Sequence, residues 1–143
     1  MNLLIILPAY NEGPMIGTVL DELKQHIKSF KKIQTTIIVV DDGSSDNTAS
    51  IANSKQVKVL RHIINRGLGG ALKTALAYAK RNNFDIALTM DSDGQHDVQD
   101  ILPGITPIIT GQADVVIGSR LLGQKGMPWD RIIINKTSNL VTW

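Results

Sequence analysis

Short apolar runs alternate along the chain with segments of helical period, the pattern of a parallel sheet wound with crossover helices. Leu3–Leu7 is a buried-strand run that Pro8 is expected to stop. From Met15 to Phe30, apolar residues recur at Ile16, Val19, Leu20, Leu23 and Ile27, which predicts a helix. Thr36–Val40 predicts a second strand running into Asp41-Asp42-Gly43, and Val57–Leu60 a third. Between them Ser45–Ala52 predicts a short helix capped by Ser45 or Asp46. Gly70–Arg81 is a clear helix, and Phe84–Met90 a fourth strand that ends in Asp91-Ser92-Asp93-Gly94. Val98–Ile109 follows as a helix whose limits Pro103 and Pro107 blur. Ala113–Ile117 predicts a fifth strand leading to Gly118-Ser119-Arg120, and Asp130–Trp143 the start of another helix. The fold class is α/β, doubly wound, with residues 1–143 in one domain.

Composition narrows the function classes. A chain of 143 residues with 43% hydrophobic and 20% charged residues can bury one continuous core and is too apolar for a disordered tail. The net charge of +2 is mild and the basic residues are scattered, with Lys31-Lys32 a short cluster, so nucleic acid is not an expected partner. With no cysteine, disulfides, thiolate metal sites and a cysteine nucleophile are excluded, which suits a reducing, cytoplasmic setting. Met1–Pro8 lacks the charged leader of a signal peptide, and no apolar run approaches the roughly 20 residues that span a bilayer. A soluble or membrane-peripheral chain is expected.

In a doubly wound sheet ligands bind beyond the carboxyl ends of the strands. Here those ends are polar and acidic: Tyr10-Asn11-Glu12, Asp41-Asp42, Asn65-Arg66-Gly67 and Asp91 to His96. Carboxylates at Asp91 and Asp93 point the same way from an extended segment and can meet one hard cation, Mg²⁺ or Mn²⁺, with diphosphate oxygens and water completing its shell. Gln95 and His96 could add a ligand or a hydrogen bond. Taken alone, D-x-D before Gly is a turn; its place after an apolar strand, beside other acidic strand ends, favours the metal. Asp41 or Asp42 can accept from the ring N–H of a base, while one of Ser44, Ser45 and Asp46 caps the next helix. Tyr10 can pack on a nucleobase or ribose, or be a core tyrosine. Glu12 can accept from ribose hydroxyls, or simply suit a helix dipole. The Gly-rich run Asn65–Ala71 can bring an anion to a helix N-terminus, with Lys73 one turn in as a diphosphate contact. Arg120 can clamp a phosphate. His26 and His62 are expected to be structural or solvated, outside the acidic cluster.

Taken in order, PAYNE, VVDDGSSDNT, NRGLGGA, MDSDGQHD and DVVIGSR resemble the signature blocks of family 2 glycosyltransferases with the GT-A fold, a Rossmann-like, mostly parallel sheet flanked by helices. The resemblance is nearest to the branch of dolichyl-phosphate mannose synthase and polyprenyl-phosphate sugar synthases. It implies a nucleotide-sugar site made of Pro8, Ala9, Tyr10, Glu12, Asp41, Asp42, Lys73, Asp91, Ser92 and Asp93. It implies Mg²⁺ or Mn²⁺ on Asp91 and Asp93 with Gln95 as a third ligand, Asp93 and Arg120 as catalytic residues, and Arg120 and Arg131 toward a donor or acceptor phosphate. The acceptor in that branch is a lipid phosphate, already an anion, so transfer with inversion would need little general-base help; a hydroxyl acceptor would need a carboxylate base.

The chain ends inside an apolar helical pattern with no C-cap signal, which reads as a C-terminally truncated catalytic domain. Self-association through an exposed apolar end, peripheral contact with the cytoplasmic face of a membrane, and a non-catalytic donor-binding fragment are the accompanying expectations. A phospho-acceptor receiver domain would carry its acidic pair after the first strand, where Pro8-Ala9 stands. A dinucleotide-binding domain would carry G-x-G-x-x-G there.

Overall fold

The computed structural model describes residues 1–118. Within them the elements run β1 (Asn2–Ala9), α1 (Gly13–Ile27), β2 (Gln34–Asp41), α2 (Thr48–Ser54), β3 (Lys58–Arg61), α3 (Gly67–Arg81), β4 (Ile86–Thr89), a single 3-10 turn (Val98–Asp100) and α4 (Ile101–Ile109). The four strands are parallel, in the order β3-β2-β1-β4. The mostly parallel, helix-flanked α/β architecture expected from the sequence is present.

β1 is the axis of the sheet. Ile5 stands opposite Ile37 of β2 on one side and Leu88 of β4 on the other. A strand paired on both edges and covered on both faces must be apolar throughout, as Leu3–Leu7 is. Period-2 alternation divides its side chains between two cores. Leu3, Ile5, Leu7 and Ala9 join Ile37 and Val39 against α1 (Ile16, Val19, Leu20, Leu23) and α4 (Ile101, Ile105). Leu4 and Ile6 join Ile38 and Val40 against Ala71, Ala75 and Ala79 of α3. Those alanines recur every fourth residue, one face of a helix, and their small size lets α3 lie close on the sheet.

Four expectations are corrected. β1 continues through Pro8 to Ala9. Ile6 directs its carbonyl to Met90 and Pro8 directs its own, two residues on, to the Ser92 hydroxyl, so the N–H that proline lacks falls where β4 has already ended. The second helix starts at Thr48, with Asn47 at its N-cap position and no side-chain cap bond there. The segment from Val98 opens as a 3-10 turn, Asp97 accepting from the Gln99 amide, before α4 begins. Pro103 of α4 falls in the first turn, where no helical N–H bond is lost, while Pro107 lies inside. Residues 113–117 form no strand: Val115 and Ile117 are 75% and 87% exposed, and no described residue pairs with the outer edge of β4. A strand forms only where a neighbour takes its backbone hydrogen bonds. Arg120, Arg131 and the expected helix from Asp130 lie outside the described residues.

Truncating Ile5 to alanine should cost about 3 kcal/mol in a urea unfolding measurement. The same change at Ile63, which is 99% exposed, should leave the unfolding midpoint unmoved.

Candidate functional site

Parallel strands bring all their carboxyl ends to one edge. The chain builds outward from β1 through β2 to β3, then crosses back to lay β4 on the far side of β1. That reversal opens a crevice between the end of β1 and the end of β4, the place where such sheets take ligands.

On one side of the crevice the loops after β1 and β2 interlock. The Asn11 amide donates to Ser44 Oγ, the Glu12 amide to Thr48 Oγ1 and the Gly13 amide to Asp46 Oδ2, each at 2.9 Å. In return the Ser45 amide donates to Asn11 Oδ1 at 2.9 Å. Glu12 occupies the N-cap position of α1 and makes no cap bond with its own side chain. Asp46, from the neighbouring loop, satisfies the first helical N–H instead, and also accepts from the Thr48 amide at the start of α2. One carboxylate thus serves two helix starts. The hydrogen bond from the Thr48 hydroxyl, with the amides of Thr48 and Gly13, outweighs the effect of burial and holds the Asp46 carboxyl below its ordinary pKa. The approach requires glycine at 13, where a Cβ would stand 2.1 Å from Asn47 Oδ1.

The pair at the end of β2 is buried. Asp41 has no exposed surface; its Oδ1 accepts from the Ser44 amide at 3.0 Å. Arg61 Nε lies 3.0 Å from Oδ2, an ion pair without hydrogen-bond alignment, and its NH2 donates to the Ser44 carbonyl. Asp42 is 4% exposed. Its Oδ1 lies 2.6 Å from His62 Nδ1 and accepts from the Arg66 amide at 2.9 Å. Burial pushes the Asp42 carboxyl up, but the His62 hydrogen bond and charge and the amides of Arg66 and Gly67 together hold it below its ordinary value. Gly43, at φ +78°, lets the Ile64-Asn65 backbone pass close; a Cβ there would meet Asn65 N at 2.8 Å.

On the other side of the crevice, β4 runs into Asp91-Ser92-Asp93. Ser92 is buried and donates to the Pro8 carbonyl at 2.8 Å, pinning the end of β4 to that of β1. With Ser92 turned in, alternation turns its two neighbours out: Asp91 is exposed and Asp93 partly so. Asp93 Oδ1 accepts from the Gln95 amide, and His96 Nδ1 lies 3.8 Å from Asp91 Oδ2. Two outward carboxylates fit a hard divalent cation that draws its remaining ligands from phosphate and water. No group of three or more His, Cys, Asp or Glu side chains is gathered as a closed metal cage among the described residues.

The other expected residues divide. Tyr10 is 49% exposed, so it is a surface ring at the crevice and not a core tyrosine. Ala9 faces the core, and its carbonyl accepts from the Asp42 amide. Lys73 is exposed on α3, where it lines a groove of about 570 Å³ with Leu60, Arg66, Thr74, Tyr78 and Arg81, none of them an acidic strand-end residue. Arg61 was not singled out from the sequence, and His62, expected to lie outside the acidic cluster, is bonded to Asp42. The signal was available: β3 ends at Arg61, so the strand-end rule points to 61–62 as well as to the later glycine-rich run.

A carboxyl held low when folded stabilises above its unfolded pKa, and loses that contribution as pH falls through the folded one. Below the ordinary aspartate value of 3.8, the unfolding midpoint should therefore fall with pH, and less steeply in Asp42→Asn. Acid titration of urea unfolding checks this.

Comparison with known proteins agrees with this geometry. The profile of glycosyl transferase family 2 matches residues 4–139. A UDP-N-acetylglucosamine–dolichyl-phosphate N-acetylglucosaminyltransferase of Methanococcus voltae is 35% identical over 97% of this chain and 61% of its own length. A polyprenol monophosphomannose synthase of Mycolicibacterium smegmatis is 29% identical over 95% and 52%. Glucosyl-3-phosphoglycerate synthase from Mycobacterium tuberculosis, solved with Mn²⁺, UDP and glucosyl-3-phosphoglycerate, superimposes with a TM-score of 0.63 at 26% identity, over 76% of this chain and 40% of that one. The chain thus spans little more than half the length of such curated relatives. With the profile covering nearly all of it and the strand-end crevice in place, the chain belongs to glycosyltransferase family 2, with the GT-A fold.

Proposed function

We propose that this chain is the donor-binding part of a metal-dependent, inverting glycosyltransferase that moves a sugar from a nucleoside diphosphate to a polyprenyl phosphate. The observation that carries the reading is the strand-order reversal between β1 and β4, where buried Ser92 leaves Asp91 exposed and Asp93 partly exposed at the end of β4 and Tyr10 stands exposed just beyond β1.

The nucleoside lies on the β1–β2 side. Tyr10 offers a ring face, Glu12 accepts from the ribose hydroxyls, and Asp42, kept ionised by its donors, accepts from a ring N–H of the base. Asp41 is fully covered and holds the turn beneath. Asp91 and Asp93, with Gln95 beside them, would hold Mg²⁺ or Mn²⁺, which supplies electrostatic relief for the charge that gathers on the departing nucleoside diphosphate. Arg120 and Arg131 are assigned to the phosphates. A lipid phosphate is already ionised at neutral pH, so no residue of this chain need take a proton. Its oxygen attacks the anomeric carbon from the face opposite the diphosphate, and the configuration inverts. The relatives' names include both UDP-N-acetylglucosamine and mannosyl transfer, so the donor is proposed only as a UDP- or GDP-sugar.

No described helix is long and apolar enough to cross a membrane; for a lipid acceptor, peripheral contact at the cytoplasmic face is proposed. Because the chain spans 61% or less of the glycosyltransferases it resembles, a second reading is a donor-binding unit without turnover of its own.

Calorimetry of the intact chain with UDP-N-acetylglucosamine and GDP-mannose should show binding of one of them strengthened by Mn²⁺. Asp93→Ala should lose the metal-dependent part while circular dichroism stays unchanged; equal binding with and without Mn²⁺ would remove the metal assignment. Incubation with labelled donor and polyprenyl phosphate then separates the two readings, since binding without transfer selects the second.

A further inference from the structure

We infer that His62 is a positioning residue of the donor site: it fixes the Asp42 carboxylate in one orientation by tying it to α3. The imidazole is buried and bonded at both nitrogens. An ionised carboxylate can only accept, so the 2.6 Å contact has Nδ1–H donating to Asp42 Oδ1. Nε2 lies 2.8 Å from Thr74 Oγ1, and Thr74 itself donates to the Gly70 carbonyl within α3. The His62 backbone is held as well, its amide donating to the Asp41 carbonyl. One side chain therefore spans from the end of β2 to the second turn of the helix that the glycine-rich run opens.

Positioning matters because the terminal torsion of an aspartate is broad and twofold, so packing alone orients it poorly. In Asp42 one oxygen takes both His62 Nδ1 and the Arg66 amide. That fixes the turn of the carboxylate about its terminal torsion, and the proposed base contact would use its remaining acceptor capacity. The inference rests on the proposed base contact of Asp42.

Two amide replacements separate positioning from general support. The side-chain NH₂ of asparagine can stand near the place of Nδ1 and that of glutamine near Nε2. His62→Asn keeps a donor for Asp42 and gives up Thr74; His62→Gln keeps Thr74 and gives up Asp42. Calorimetry with the Mn²⁺-loaded intact chain and its nucleotide-sugar donor is expected to show His62→Asn within about threefold of the parent. His62→Gln should weaken donor binding about tenfold or more, the size of a hydrogen bond to a charged group. Urea unfolding of both variants reports the structural cost. Equal weakening in both, in step with their unfolding midpoints, would make His62 a packing residue and overturn the inference, as would unchanged binding in His62→Gln. Asp42→Asn tells which premise failed. Unchanged donor binding there removes the base contact itself, whereas weak binding there with parent-like His62→Gln removes only the positioning role.

Discussion

Two carboxylates buried at the end of β2 are the constraint on which the rest of the site depends. An ionised group taken out of water and left without donors costs several kcal/mol, so Asp41 and Asp42 are tolerable only if neighbouring chain supplies N–H groups. It does so from three directions, the Ser44 amide in the following turn, His62 just past the end of β3 and the Arg66 amide at the entry to α3, and Arg61 adds its positive charge beside Asp41. Ser44, His62 and Arg66 each belong to a loop that would otherwise be free to vary. Satisfying the charges therefore selects one conformation for the whole β2–β3 side of the crevice, including the close pass of residues 64–65 over Gly43.

The sheet supplies the frame in which this local demand becomes a site. Because β1 is apolar throughout and paired on both edges, it places the end of β2 on one side of Pro8–Glu12 and the end of β4 on the other. Asp46 then locks the β1 and β2 loops by serving two helix starts, while Ser92 locks β4 through the Pro8 carbonyl. Proline suits that position for two reasons: its missing N–H lies beyond the last residue of β4, and its carbonyl remains free to accept.

Much of this was legible in the residues. Buried-strand runs and four-residue apolar spacing give β1, β2, α1 and α3 to within a few positions, since these elements owe their existence to burial that the sequence records directly. The acidic strand ends were legible for the same reason. Less so were the partners of those acids. His62 looked structural or solvated because its sequence neighbours say nothing of Asp42, twenty positions earlier, and only the parallel pairing of β2 with β3 brings the two together. Asp46 looked like the cap of its own helix, yet it also serves α1, a contact between loops that no local pattern encodes. Ala113–Ile117 carries a strand's composition without forming a strand, because strand formation depends on a pairing edge and not on composition alone.

The two sides of the crevice differ in how much of their polar capacity is already used. On the β2–β3 side both carboxylates are buried and bonded, and Asp42 is held below its ordinary pKa, so a ligand group arriving there meets a fixed acceptor and spends little on ordering it. On the β4 side Asp91 is exposed and Asp93 is engaged by the Gln95 amide two residues on, with Ser92 as the anchor beneath. Carboxylates that face water keep their capacity for a cation, and a cation between them keeps its capacity for phosphate. The β2–β3 side is suited to selection by shape and a single N–H, and the β4 side to charge. The proposed donor, recognised through its nucleoside and released from its diphosphate, would call for that division, because tight, fixed contacts at the leaving group would stabilise the bound donor as much as its departure.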